Sequence, residues 1–179
     1  MGKSTVGQLL AELLGCDFVD LDEIGDCHYQ EVGQPLGAFL AKIEELGYVR
    51  AHAWWQPARA HAVVRVMEDC RGAVVALGAG HSHFEDRAWL DVVQAALQSE
   101  SVVLLLPDPD PAVAVAALRA RSIELKGHSW VIENVDYLAN WVASGQNRQL
   151  ADIMVYVGKD AADAVANKVC DALGGLDAQ

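Results

Sequence analysis

Short runs of continuously apolar residues alternate along this chain with longer stretches of helical periodicity, and that alternation limits the fold more than any other feature. The runs are "GAVVALGAG" at 72–80, "SVVLLLP" at 101–107 and "DIMVYVGK" at 152–159. Continuous apolar runs of this length suit strands covered on both faces, the environment found in parallel sheets. Between and after them lie "DRAWLDVVQAALQ", "PAVAVAALRARS" and the amphipathic "DAADAVANKVCDALGG", which ends on a glycine stop. The alternation predicts an α/β fold, a doubly wound parallel sheet with helices on both faces. At 179 residues, one domain over 1–179 accounts for the whole chain.

Nearer the start, "STVGQLLAELL" at 4–14 sets Val6, Leu9, Leu10, Leu13 and Leu14 on one helical face, and Gly15 follows as a stop. "DFVDLD" at 17–22 then reads as a strand with Asp20 and Asp22 at its carboxyl end. Further helices are expected at about 35–46 and 54–70.

The residues that begin that first helix carry the chemistry. Gly2, Lys3, Ser4 and Thr5 match the end of a Gly-x-x-x-x-Gly-Lys-Ser/Thr loop. In such a loop backbone N–H groups wrap phosphates, the lysine reaches the β and γ groups, and the hydroxyl holds magnesium. The glycine-rich half and its preceding strand are absent from the sequence, so the sheet is expected to lack its first strand. Met1 stands inside the loop, and a misplaced start is the expected reason. A Gly-Lys-Ser tripeptide alone also fits a capped surface helix. What strengthens the loop reading is the helix directly after it and the Asp-x-Asp strand end, with Asp20 seventeen residues (20 − 3) beyond Lys3.

This succession of loop end, helix, glycine and "FVDLD" resembles the opening of shikimate kinase and its P-loop nucleotide-kinase relatives. The resemblance implies an ATP-dependent small-molecule kinase that uses Mg2+ and moves the γ-phosphoryl group to a hydroxyl. It places Gly2, Lys3, Ser4 and Thr5 at the nucleotide, Ser4 and Asp20 at the metal, and Asp22 at the acceptor hydroxyl as its orienting or deprotonating group. "VVALGAGHSH" at 74–83 stands where those kinases carry strand-Gly-Gly-Gly, so Gly78, Ala79 and Gly80 are expected against the acceptor. Ala79 departs from the pattern by one methyl.

Other family elements are rewritten here. "ELGYVRAHAWW" at 45–55 replaces Gly-Glu-x-x-Phe-Arg, leaving Arg50 either as an acceptor contact or as an exposed helical arginine. Trp54 and Trp55 are pocket or core residues. A lid at about 119–135 is implied, with Arg119 and Arg121 as the two candidates for the arginine that reaches the transferring phosphate. "SGQNRQLADIMVYVGK" matches the closing segment and puts Arg148 on an acceptor carboxylate, with Asn147 beside it where the family often has tyrosine. His81 and His83 form an His-x-His pair without an evident third metal ligand, which points to shaping of the acceptor pocket, or to no role at the site, rather than to metal.

Composition narrows the alternatives. A net charge of −12 argues against a nucleic-acid partner, and no apolar run is long enough to span a bilayer. Cys16, Cys27, Cys70 and Cys170 are scattered without a Cys-x-x-Cys pair, as expected of reduced thiols in a cytoplasmic protein. The partners expected are a small hydroxylated acceptor, shikimate or another polyol, sugar or secondary metabolite, and at most a second copy of the chain. The competing reading is a catalytically inactive descendant that binds a ligand or partner.

Overall fold

A computed structural model describes residues 2–176, so Met1 and 177–179 lie outside the described residues. Helix α1 (Lys3–Leu14) starts at Gly2, whose left-handed backbone (φ 76°) suits a residue without a Cβ, and stops at Gly15. Strand β1 (Phe18–Asp20) follows, then helices α2 (Leu21–Glu31), α3 (Leu36–Leu46), α4 (Tyr48–Trp54) and α5 (Gln56–Asp69). Strand β2 (Val74–Ala76), helix α6 (Arg87–Ala96), strand β3 (Val103–Leu106) and helix α7 (Pro111–Lys126) alternate as expected. A hairpin of β4 (Val131–Ile132) and β5 (Val135–Asp136), helices α8 (Tyr137–Ala143) and α9 (Gly145–Leu150), strand β6 (Ile153–Tyr156) and helix α10 (Ala162–Leu176) complete the order.

The long strands pair in parallel, β1 with β2 and β3 with β6. Among the described residues no backbone hydrogen bonds join the two pairs. They meet instead through side chains: Val74 of β2 and Val103 and Leu105 of β3 pack on one apolar cluster built from Val6, Leu10, Val155, Val165 and Val169. Helices α1 and α10 thus cover one face. On the other, α2, α5 and α6 close a second core around Leu21, Val63, Val66, Phe84, Leu90 and Val93. A third cluster, Ala114, Leu118, Leu138 and Val142, joins α7 to α8. The fold is a doubly wound α/β arrangement with helices on both faces, and among the described residues no helix is long and apolar enough to cross a membrane.

Several expectations are corrected in detail. Strand β1 ends at Asp20, and Asp22 lies in the first turn of α2, because the Asp20 carboxylate accepts the Asp22 N–H at 3.0 Å and so caps a helix there. The helix expected at 54–70 is broken at Trp55, with Trp54 closing α4 and Gln56 opening α5. The buried face of α1 is Val6, Gly7, Leu10 and Ala11, while Leu13 and Leu14 are 51% and 46% exposed. Gly7 faces inward because a Cβ there would lie 2.6 Å from the Phe18 ring.

Leu21 is fully buried beside the site and Leu125 is 69% exposed. Leu21→Ala should lower the unfolding free energy by about 2–5 kcal/mol in urea titrations, whereas Leu125→Ala should change it by no more than about 0.5 kcal/mol.

Candidate active site

The start of α1, the carboxyl ends of β1 and β2 and the first turn of α2 converge on one point. The first-turn N–H groups of α1 have no intrahelical partners, and the helix dipole adds positive character there. Lys3 Nζ reaches across to donate to the Leu77 carbonyl just beyond β2. Ser4 Oγ donates to Asp20 Oδ2 at 2.5 Å, while Asp20 Oδ1 caps α2. Asp20 is therefore held from two sides. Thr5 is exposed on the same turn.

Gly78 closes this site from beneath. A Cβ at Gly78 would lie 1.9 Å from Asp22 Oδ1 and 2.7 Å from His81 Nδ1, so no side chain fits between those groups. Ala79 and Gly80 continue in a single 3-10 turn that ends at His81. Desolvation pushes the Lys3 ammonium below the usual lysine range, opposed by the charges of Asp22 and Asp20. The lysine is thus poised between two carboxylates and a carbonyl.

Behind the turn lies the residue that most organises this side of the molecule. Arg59, on α5, is only 2% exposed and forms no ion pair among the described residues. Its Nη1 donates to the Gly80 carbonyl and, at 3.2 Å, to that of His83, while Nη2 donates to the His52 carbonyl at 3.2 Å. The guanidinium also lies over the Phe84 ring, 5.2 Å from its centroid. Burial pulls Arg59 down to about 10, which leaves it charged at neutral pH. Burial and the nearby cation hold His52 and His81 near 3, and His83 below its usual value, so these imidazoles are neutral.

A cavity of about 170 Å³ opens beside this cluster, with His52, Arg59, His83, Glu85, Tyr137 and Trp141 among its lining residues. The β4–β5 hairpin stands over it. Glu133 and Asn134 turn that hairpin with left-handed backbones (φ 50° and 64°), as a two-residue turn requires. The Glu133 carboxylate accepts the Tyr48 and Val49 N–H groups at 2.7 and 3.2 Å, capping α4. The hairpin is thereby latched to the cavity's wall.

The structure brings together Gly2, Lys3, Ser4, Thr5, Asp20, Asp22, Gly78, Ala79 and Gly80. The arginines singled out in the sequence stand elsewhere. Arg50 is exposed on α4 without a hydrogen bond or ion pair among the described residues. Arg119 pairs with Asp136 at the base of the hairpin, and Arg121 is exposed on the same helix. Arg148 donates to the Val142 carbonyl at 3.1 Å, and Asn147 to that of Trp141 at 3.0 Å. Trp55 belongs to the core, while Trp54 lies under Lys42. His81 and His83 take different partners, Tyr29 and Ser144, and no cluster of three metal-ligating side chains occurs among the described residues.

Sequence reasoning missed Arg59, His52 and Tyr29. For Arg59 a signal existed: a charged residue inside the apolar face Ala58, Ala60, Ala62, Val63 and Val66. The partners of His52 and Tyr29 come from distant segments and leave no local pattern.

Comparison with known proteins decides the family. The family model for shikimate kinase matches residues 1–173. This chain belongs to the shikimate kinase family. Shikimate kinases of Shewanella sp. strain ANA-3 and Shewanella baltica strain OS195 are each 26% identical to it over 180 aligned residues, covering 97% of this chain and 91% of theirs. A solved structure, shikimate kinase from Acinetobacter baumannii in complex with shikimate, superposes with a TM-score of 0.64 at 19% identity, over 99% of this chain and 89% of that one. At that identity the likeness speaks for the fold alone.

The buried neutral histidines make acid stability testable. Between their folded values near 3 and the ordinary value of 6.5, the unfolded chain binds more protons than the folded one, so stability is full above about 6.5 and is lost as pH falls toward 3. The unfolding free energy from urea titrations should drop across that window, by up to about 1.4 kcal/mol per pH unit for each histidine. His52→Gln should flatten the slope.

Proposed function

We propose that the chain is an ATP-dependent kinase that moves the γ-phosphoryl group to a hydroxyl of a small molecule, with shikimate the first acceptor to test and another polyol or sugar next. The observation that supports it most is the meeting of Lys3, Ser4, Asp20 and Asp22 around the side-chain-free Gly78. One domain, acting in the cytoplasm where ATP is available, suffices for this role. A purely binding, non-catalytic role gains no support from the family match.

Ser4 Oγ and Asp20 Oδ2, 2.5 Å apart, are a hard-oxygen pair of the kind that suits Mg2+, which keeps most of its shell as water and phosphate oxygens. Those two residues would hold it, directly or through water, and bound Mg2+ would supply charge neutralisation on the β and γ phosphates. The first turn of α1, from Gly2 to Thr5, offers N–H groups to the phosphates. Lys3 leaves the Leu77 carbonyl for them, exchanging one acceptor for a more strongly charged one. Asp22 aligns the acceptor hydroxyl in line and takes its proton as the new P–O bond forms and the bond to ADP breaks. Arg119, tied to Asp136 at the hairpin base, couples lid closure to cation delivery, with Arg121 as the other candidate.

The departures from the family bear on the acceptor. Arg148 is engaged by a backbone carbonyl and Arg50 is exposed, so either must reorient to meet an acceptor carboxylate. Ala79 follows Gly78 in the turn, and its methyl would narrow the space of an acceptor that lies against it.

Calorimetric titration should detect saturable binding of Mg-ADP and Mg-ATP, and a coupled assay should detect ADP release that depends on the acceptor. Lys3→Ala and Asp22→Asn should each cut kcat/KM by at least about a hundredfold while circular dichroism and melting stay close to the parent. Full activity in either variant would reject the role given to that residue.

A further inference from the structure

We propose that His81 is a positioning residue for Asp22, presenting Nδ1–H to the carboxylate while Tyr29 holds the imidazole from its far side. The inference rests on the reading of Asp22 as the acceptor base. His81 replaces nothing in the motif that drew attention to this turn, yet it is 4% exposed and lies at the turn's end. Its Nε2 is 2.7 Å from Tyr29 Oη, and Tyr29 is itself buried.

The surroundings select the tautomer. Tyr29 Oη has no other hydrogen-bond partner among the described residues, and Gly25 packs against it without a side chain to offer one. The phenol, kept protonated by burial and by the charge of Asp22, therefore donates to Nε2. That leaves the imidazole proton on Nδ1. Nδ1 faces two acceptors, the Gly78 carbonyl and Asp22 Oδ1 at 3.7 Å, and meets hydrogen-bond geometry with neither. A bare lone pair there would point at a carboxylate, whereas an N–H is attracted to it. Gly78 leaves the gap between them open, since a Cβ would fill it.

Asp22 needs such a partner. Its side chain is 62% exposed, and among the described residues no side chain other than His81 pairs with its carboxylate. A small movement of Asp22 that shortens 3.7 Å to hydrogen-bond length would fix Oδ1 and leave Oδ2 for the acceptor hydroxyl. The imidazole stays neutral because burial and the cations Arg59 and Lys3 oppose its protonation, so it donates without cancelling the charge of the base.

Long-range 1H–15N NMR of the full chain at pH 7 should show His81 as the neutral Nδ1–H tautomer; the Nε2–H tautomer or an imidazolium would overturn the proposal. In steady-state kinetics His81→Leu should lower kcat about tenfold to a hundredfold with KM for Mg-ATP within about twofold. His81→Asn, whose amide nitrogen stands where Nδ1 stood, should restore most of the rate. Equal losses in the two variants, or a loss confined to KM, would assign His81 to packing alone. Absence of all phosphoryl transfer would overturn the kinase reading, and the tautomer measurement, made on the unaltered chain, would still decide the relay.

Discussion

A buried guanidinium, Arg59, without an ion-pair partner among the described residues holds the glycine turn and its neighbouring helices in place. Removing such a cation from water costs several kcal/mol, and Arg59 offsets that cost with three backbone carbonyls and the face of Phe84. Those carbonyls belong to His52, Gly80 and His83, so one side chain ties α4, α5 and the glycine turn into a unit. The turn in turn places Gly78 beneath Asp22 and His81 beside it. Truncating Arg59 would release three segments at once and leave their carbonyls unpaired.

The start of α1 is organised by a smaller set of contacts. Asp20 spends one oxygen on Ser4 and the other on the cap of α2, which fixes the relation between α1 and the first turn of α2, where Asp22 lies. Lys3 rests on the Leu77 carbonyl, at the same β2 end from which the glycine turn departs. The start of α1 and the glycine turn therefore share a backbone strut. In a chain carrying a net charge of −12, the cations Lys3 and Arg59 and the dipole of α1 provide local positive character.

Much of this was legible in the residues. The apolar runs marked β2, β3 and β6, Gly15 ended α1, and "FVDLD" marked β1. Local signals misled where one side chain rewrote the backbone: the Asp20 cap turned the expected strand end at Asp22 into a helix. Elements α4, α8 and α9 are six or seven residues long, too short to show a helical period, and the β4–β5 hairpin is shorter still. Arg50, Arg119 and Arg148 stand at motif positions, but an arginine's partner is set by tertiary packing, and the buried arginine, Arg59, lies outside those motifs. The Tyr29–His81 contact spans 52 residues of chain and could not be read from either neighbourhood.

The central claim is that these groups move a phosphoryl group to a small hydroxylated acceptor. It is tested most directly by 31P NMR of the chain incubated with Mg-ATP and shikimate, with a panel of polyols and sugars run in parallel. The account predicts a phosphate-monoester resonance that grows with one acceptor as the γ signal of ATP declines and ADP forms in equal amount. ATP left intact with every acceptor, or cleaved only to inorganic phosphate, would contradict it.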